Sequence, residues 1–172
     1  MHKLRQLIGL PVLETETGAQ IGEIEEVVLN IGQAMVLGVI VAGGTWFSHD
    51  QGILFADFHG VGRDALVVRS PAAVTDLAGL LSDQATCRLR DLCDKAVFTE
   101  AGNYLGLVAD VIYRPDTGEI RFYELSDGLT TDLVEGRMVM PLPQAQVLSE
   151  ERVIVPEAMS KLLQAAKEIQ VV

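Results

Sequence analysis

The chain has 172 residues, of which 49% are hydrophobic, and its 24 acidic and 13 basic side chains give a formal net charge of −11. This hydrophobic fraction excludes an intrinsically disordered chain, which combines low hydrophobicity with high charge. The acidic balance argues against a nucleic-acid groove, where Lys and Arg neutralise phosphates, and against docking on an anionic membrane surface.

Signals for membranes and export are missing from the sequence. The longest uninterrupted apolar stretch, 34–42, is far shorter than the roughly 20 residues of a membrane-spanning helix. The N-terminal residues are basic but lack the long apolar region and cleavage site of a signal peptide. We therefore predict a cytoplasmic protein whose two cysteines, Cys87 and Cys93, are reduced thiols that serve packing; a disulfide between them is the less favoured alternative.

The first half of the chain predicts short strands and turns. The predicted segments are an extended stretch at 4–13, a turn at 15–18, strands at 21–29 and 35–41 around a hairpin turn at 30–33, and short strands at 53–57 and 65–68. Gly22 lies inside a strand pattern, where glycine usually marks a bulge or a sharp bend. After Pro71, the spacing of Val74, Leu77, Ala78 and Leu81 predicts a helix with one apolar stripe.

The second half repeats the first. The pattern Gly-x-x-apolar-Gly-x-apolar-x-acid-apolar-apolar begins at Gly18 and again 84 residues later at Gly102, so that Gly106 matches Gly22. The later segments follow in the same order: a turn at 114–118, strands at 120–125, 138–142 and 152–155, Pro156, and a helical stripe of Met159, Leu162, Leu163 and Ala166. Agreement in residue type, order and spacing indicates an internal duplication.

Two repeats are too few for an open solenoid, so each unit is expected to close around its own core. We predict a mainly β fold of two tandem small antiparallel β-barrels, each followed by a short α-helix. The predicted domains are residues 1–84 and residues 85–172, the second including the C-terminal helix. Closure would hide strand edges that could otherwise pair with other chains.

The segments "IGEIEEVVLN" and "ALVVRSP" in the first half, and "NYLGLVADVIYRPDTGEIRFYEL" and "RVIVP" in the second, resemble the PRC-barrel domain family. The resemblance covers nearly the whole chain as a tandem pair, as in bacterial proteins of the YrrD-like kind. It implies an adaptor or assembly module more than a catalyst. The chain lacks the transmembrane helix of a reaction-centre H subunit, and its N-terminal half differs from the N-terminal barrel of a ribosome maturation factor.

One stretch carries residues that could bind a metal ion. Asp57 and His59 lie two positions apart, so on a strand they would share a face, and with His49 and Asp50 they could ligate a divalent cation. The alternative is a loop and a strand end that carry ordinary exposed polar groups. The corresponding region of the second repeat has no histidine, so such a site would not be duplicated.

Trp46 and Phe47 are the candidate residues for contact with a protein partner, because aromatic side chains are enriched at interface hot spots. The alternative is that both rings pack into the mouth of the first barrel. The sequence does not distinguish these two interpretations.

Glu26 and Asp110 occupy the same position of the two repeats, and paired carboxylates can perform acid–base chemistry. We favour a structural role for them, either on a solvated strand face or as acceptors that cap a turn. Ser48, His49 and Asp50 are adjacent and so cannot form a triad among themselves. No catalytic residue and no cofactor are therefore predicted.

The functional hypothesis is a non-enzymatic adaptor that binds protein partners through its β-barrel surfaces, with basic proteins preferred because of the negative charge. The C-terminal helix could cover its own barrel, or it could pack against a second copy of the chain in a homodimer. The alternatives are a small-ligand or metal-binding sensor that uses residues 46–59 and, more weakly, a ribosome-maturation-like factor that binds a ribosomal protein.

Overall fold

The structure, a computed structural model, describes residues 1–43, 51–126, 137–144 and 146–163. The chain divides into two compact units, the first comprising Met1–Arg90 and Tyr113–Ile120 and the second Asp91–Ile112 and Arg121–Val172. Strands predominate in both units and helices are short, which confirms the mainly β prediction of two tandem barrel-like units. Within the described ranges no helix is long and apolar enough to cross a membrane.

The described residues of the first unit form nine strands. They are β1 (His2–Lys3), β2 (Pro11–Glu14), β3 (Gln20–Asn30), β4 (Met35–Ala42), β5 (Gln51–Leu54), β6 (Phe58–Val61), β7 (Leu66–Val68), β8 (Val74–Asp76) and β9 (Thr86–Arg88). The α-helices of this part of the chain are α1 (Ala78–Leu81) and α2 (Leu89–Leu92), which ends just beyond the first unit. The strands predicted at 21–29, 35–41 and 65–68 are confirmed, whereas the strand predicted at 53–57 is wrong in its second part, because β5 ends at Leu54 and Phe55–Asp57 is a 3-10 helix.

The sheet of the first unit has the order β6-β7-β2-β3-β4-β5-β8. The pair β2–β7 is parallel, with Val12 opposite Leu66, and the other pairs of this sheet are antiparallel. One edge of β3 pairs with β4, while its other edge pairs first with β2 up to Glu23 and then with β9 from Val28. The change of partner along one strand folds the sheet around its apolar side chains.

The described residues of the second unit form six strands in a similar arrangement. They are β10 (Ala96–Thr99), β11 (Tyr104–Tyr113), β12 (Ile120–Ser126), β13 (Met138–Pro141), β14 (Val147–Leu148) and β15 (Arg152–Val155). Their order in the sheet is β13-β12-β11-β10-β15-β14, and β10 and β15 pair in parallel as β2 and β7 do. The parallel pair recurs in both units, and the sequence prediction of antiparallel barrels did not include it.

The predicted bends at Gly22 and Gly106 are confirmed. In each unit the strand register shifts beside the glycine, between Val12 and Leu13 in one case and between Val97 and Phe98 in the other. A Cβ atom at Gly106 would lie 2.7 Å from the Ser126 carbonyl oxygen, and Gly106 has a φ of +137°. The glycine is therefore required by both backbone conformation and close strand approach.

The predicted helix after Pro71 is wrong in its first part. Pro71–Ala73 is a 3-10 turn, and Val74–Asp76 forms β8, which pairs antiparallel with β5. Only Ala78–Leu81 is α-helical, and Leu77 just before it is buried with Val28 and Ile40. The spacing resembled a helical stripe because apolar side chains of two successive elements happen to face the same core. In the second unit, residues 158–163 are helical, as predicted for that part of the stripe.

Leu4–Leu7 is a 3-10 helix, so the prediction of an extended segment over 4–13 is wrong at its start. Leu4 and Leu7 are both buried, since side chains three positions apart align along a 3-10 helix. The apolar residues that suggested a strand thus fill the core from a tight turn.

Tyr113 and Tyr123 are both fully buried but differ in hydrogen bonding. The Tyr123 hydroxyl donates to Gln146 Oε1 at 2.9 Å, whereas the Tyr113 hydroxyl has no hydrogen-bond partner among the described residues. Burial raises the pKa of Tyr113 to about 12, because ionisation would place a phenolate away from water. An unpaired buried hydroxyl costs stability, while a paired one contributes to it.

We expect the variants Tyr113→Phe and Tyr123→Phe to change the free energy of unfolding in opposite directions. Tyr113→Phe should leave stability unchanged or raise it by up to about 1 kcal/mol, and Tyr123→Phe should lower it by about 1 kcal/mol. Because the folded-state pKa of Tyr113 is raised, the wild type should lose stability as the pH rises from about 10 to about 12. Tyr113→Phe should lose less, as measured by urea unfolding across that range; equal alkaline losses would contradict the assignment.

Candidate partner-binding surfaces

Four predicted site residues lie outside the residues that the structure describes: Trp46, Phe47, His49 and Asp50. The hypothesis that the aromatic pair contacts a protein partner therefore stays a prediction. The strand that leads to this segment, β4, ends at Ala42, and the strand that follows it, β5, begins at Gln51.

Asp57 and His59 do not share a strand face, so that part of the metal-site prediction is wrong. Asp57 is the last residue of a 3-10 helix, and His59 belongs to β6, where the register with β7 shifts between Phe58 and Gly60. Both side chains are exposed. Within the described residues, no group of three or more His, Cys, Asp or Glu side chains is placed to hold a metal ion.

Glu26 and Asp110 are buried, so the interpretation of a solvated strand face is wrong. Each carboxylate accepts a hydrogen bond from the next backbone amide, at 2.9 Å from Val27 N and at 2.8 Å from Val111 N. Glu26 also forms an ion pair with Arg90, whose Nε lies 3.6 Å from Oε2. The two carboxylates thus accept equivalent backbone hydrogen bonds in the two long strands, which supports the predicted structural role.

The two cysteines are free thiols. Cys87 is half-buried in β9, and Cys93 is buried with its Sγ 3.9 Å from the Ala109 carbonyl oxygen. Burial of a thiol among apolar neighbours agrees with the predicted packing role.

Glu14 organises the turn between β2 and β3. Its carboxylate accepts hydrogen bonds from the Thr17 hydroxyl and from the backbone amides of Glu16, Thr17 and Ala19. The bond from the Thr17 hydroxyl, with those from the amides, holds the pKa of Glu14 below its usual value. In the second unit Thr99 plays the same part, since its hydroxyl accepts from Asn103 N at 3.1 Å.

We expect Glu14→Gln to lower the urea midpoint of unfolding at neutral pH, because an amide oxygen accepts these bonds more weakly than a carboxylate does. The folded-state pKa of Glu14 is lowered, so its contribution is present above the unfolded value near 4.5 and disappears as the pH falls through the folded-state value. The difference between wild type and variant should therefore shrink in acid. Glu16→Gln, at an exposed neighbour, is the control; a pH-independent difference would contradict the role of the carboxylate.

A groove in the second unit combines an exposed aromatic ring with a helix. The groove has a volume of about 470 Å³, and the start of β11, Met138 and the helix at 158–163 border it. Tyr104 is 49% exposed here, and its ring lies 5.4 Å from that of Phe98. The helix contributes Leu163, which is buried, and the preceding Glu157 accepts a hydrogen bond from Asn103 Nδ2 at 3.1 Å.

A groove in the first unit lies at the same place in the repeat, along the start of β3. It has a volume of about 650 Å³ and is lined by Gln20, Ile21, Gly22, Glu23, Ile24, Glu25, Ala42 and Gly43. No described helical residue borders it. The two grooves share equivalent positions, since Gln20 and Ile21 match Tyr104 and Leu105 in the repeat.

Tyr104 was not among the site residues predicted from the sequence. The repeat pattern contained the signal, because Tyr104 stands at a variable position of the pattern between two fixed glycines. A large aromatic residue at a position that the other repeat fills with Gln20 indicates a surface role more than a core role. Half exposure of the ring agrees with that interpretation.

Both halves of the chain are similar to known proteins. The model of the PRC-barrel domain matches it twice, over residues 1–74 and residues 86–162. The chain is also 29% identical over 136 residues to the "Uncharacterized protein YrrD" of Bacillus subtilis (strain 168), an alignment that covers 77% of this chain and 75% of that protein. Both repeats inferred from the sequence therefore correspond to matched segments of one family.

Proposed function

The chain belongs to the PRC-barrel domain family in two tandem copies, and from this premise we propose that it is a non-enzymatic adaptor that binds protein partners through the surfaces of its barrel-like units. We propose further that it acts in the cytoplasm. The fold alone does not define a function, so the support for this proposal comes from the exposed residues and the charge of the chain.

The groove beside Tyr104 is the observation that carries this proposal. Tyr104 lines this groove together with Leu105, Met138 and Leu163, and a half-exposed aromatic ring in a partly apolar groove is typical of a protein-binding site. Tyrosine is enriched at binding hot spots because it combines a large apolar area with a polar hydroxyl.

Charge supports a basic protein as the partner. The net charge of −11 favours encounter with positively charged proteins and disfavours acidic ones. A ribosomal protein is one such partner, and a second copy of the chain is a less favoured one because two copies repel each other electrostatically.

Affinity capture of the full chain from its host, with quantitative mass spectrometry, tests the proposal. We expect one protein to be enriched with wild type and to be recovered less with Tyr104→Ala, Trp46→Ala or Phe47→Ala. Val147→Ala, at an exposed apolar residue of β14 outside the groove, is the matched control and should capture as wild type does. Equal recovery from every variant would contradict partner binding through these residues.

The metal-sensor alternative has a distinct outcome in the same experiment. If wild type captures no protein and elemental analysis finds one divalent ion per chain, the adaptor proposal is wrong. Loss of that ion in His59→Ala would then assign it to the region that includes His59.

A further inference from the structure

We propose that the groove along the start of β3 in the first unit binds an amphipathic, positively charged helix of a partner protein. This inference rests on the proposed adaptor function and assigns a surface and a partner chemistry to it. Four features of the chain support it: the equivalent groove of the second unit, the route of the chain after β7, the backbone pairing of β3, and the charge of the groove.

The second unit shows what this part of the fold can hold. There, the equivalent groove is closed on one side by the helix at 158–163, through Ser160, Lys161 and Leu163. Leu163 is only 5% exposed, so the helix places an apolar side chain into the unit at this point. The repeat thus contains an internal example of a helix seated beside the start of the long strand.

The described residues of the first unit supply no such helix to its groove. After β7, its chain forms β8, which pairs with β5, and then α1, whose preceding residue Leu77 packs with Val28 and Ile40. The groove lining consists of residues from β3 and the end of β4 only. The place that a helix takes in the second unit therefore has no helical neighbour among the described residues of the first.

A helix fits this groove better than an added strand does. At Glu23 both edges of β3 are paired, with Pro11 on one side and with Ala42 on the other. The backbone of Ile24 bonds to Gly9 and Leu10 as well. At Glu23 and Ile24 no edge is open to an added strand, so a partner that contacts Glu23 and Glu25 docks through side chains, as a helix does.

The charge of the groove defines the partner. The outer face of β3 carries Ile21, Glu23 and Glu25, and both glutamates are exposed. The lining includes no basic residue, and Gly22, Ala42 and Gly43 leave room for close approach. From residue 20 to residue 25 the strand extends about 16 Å, which corresponds to about three turns of a helix. The complementary partner is a helix of this length with apolar residues on one stripe and Lys or Arg beside it.

Two designed peptides of 14 residues provide the test. Both carry leucines at i, i+3, i+4 and i+7; one has lysines on the flanks and the other has glutamates at the same positions. Binding to the full chain is measured by fluorescence anisotropy, and the site is located by backbone amide chemical shifts. We expect the basic peptide to bind and to shift residues 20–25 and 42–43, while the acidic peptide does not bind.

The double variant Glu23→Gln/Glu25→Gln should weaken binding of the basic peptide about fivefold or more, since each exposed ion pair contributes up to about 1 kcal/mol. Glu150→Gln/Glu151→Gln removes the same charge from an exposed turn of the second unit and should change the affinity by less than about twofold. Equal weakening by both double variants, binding of the acidic peptide, or shifts confined to other residues would overturn the inference. If affinity capture succeeds but Glu23→Gln/Glu25→Gln leaves it unchanged, this inference is wrong while the adaptor proposal stands.

Discussion

Replacing Gly52 with alanine is expected to destabilise the first unit by about 3 kcal/mol or more. A Cβ atom at this position would lie 2.0 Å from the Val39 carbonyl oxygen and 2.6 Å from Leu77 Cδ1. The first of these neighbours is backbone, and β5 cannot move away from it because β8 pairs with the other edge of β5. Relief would require the sheet to separate, and overpacking of this kind ranks among the costliest single substitutions.

Gly60→Ala is the matched control for this prediction. Gly60 also lies in a strand, β6, but a Cβ atom there would meet nothing within 4 Å. Urea unfolding should show a large fall in the midpoint for Gly52→Ala and a change of about 0.5 kcal/mol or less for Gly60→Ala. If the two variants have equal stability, the close approach of β4 and β5 is incorrect.

Replacing Lys95 with methionine is expected to destabilise the second unit by about 2 kcal/mol. Lys95 is buried, and its ammonium group donates to the backbone carbonyl oxygens of Ser149 and Glu150, which form the turn between β14 and β15. Methionine keeps the apolar length of the side chain but cannot donate, so the loss isolates the charged hydrogen bonds.

Lys161→Met serves as the control, because Lys161 is an exposed lysine of the same unit. The midpoint of unfolding should fall clearly for Lys95→Met and change little for Lys161→Met. Amide hydrogen exchange should also show faster opening at residues 147–155 in Lys95→Met, since the turn loses its anchor. Unchanged exchange in this segment would show that Lys95 does not hold the turn.

Much of the fold could be predicted from the sequence because the same pattern of strands and turns occurs in both halves of the chain. Gly22 and Gly106 mark the same bend, and the strand patterns on either side of them agree in order and spacing. The hydrophobic pattern of one segment does not define which edge of the sheet that segment joins. Val74 pairs with Ile53 in a strand, although its spacing to Leu77 suited a helix equally well.

The surface and the buried polar groups were harder to predict. Glu26 looked solvated because acidic residues usually are, but a backbone amide and Arg90 compensate its burial. The exposure of Tyr104 depends on how β11 meets the helix at 158–163, which is a tertiary property. Asp57 and His59 were expected on one strand face, yet a 3-10 turn ends between them and changes the direction of the side chains.

If the chain is an adaptor, the purified full chain should bind the protein that affinity capture recovers. Titration of one purified protein with the other measures this binding. Isothermal titration calorimetry gives both the affinity and the stoichiometry. We expect saturable binding with a defined stoichiometry. The affinity should fall about tenfold or more in Tyr104→Ala, as expected for a hot-spot residue, and should be unchanged in Val147→Ala. No binding between the purified proteins, or equal affinities for wild type and Tyr104→Ala, would contradict the adaptor proposal.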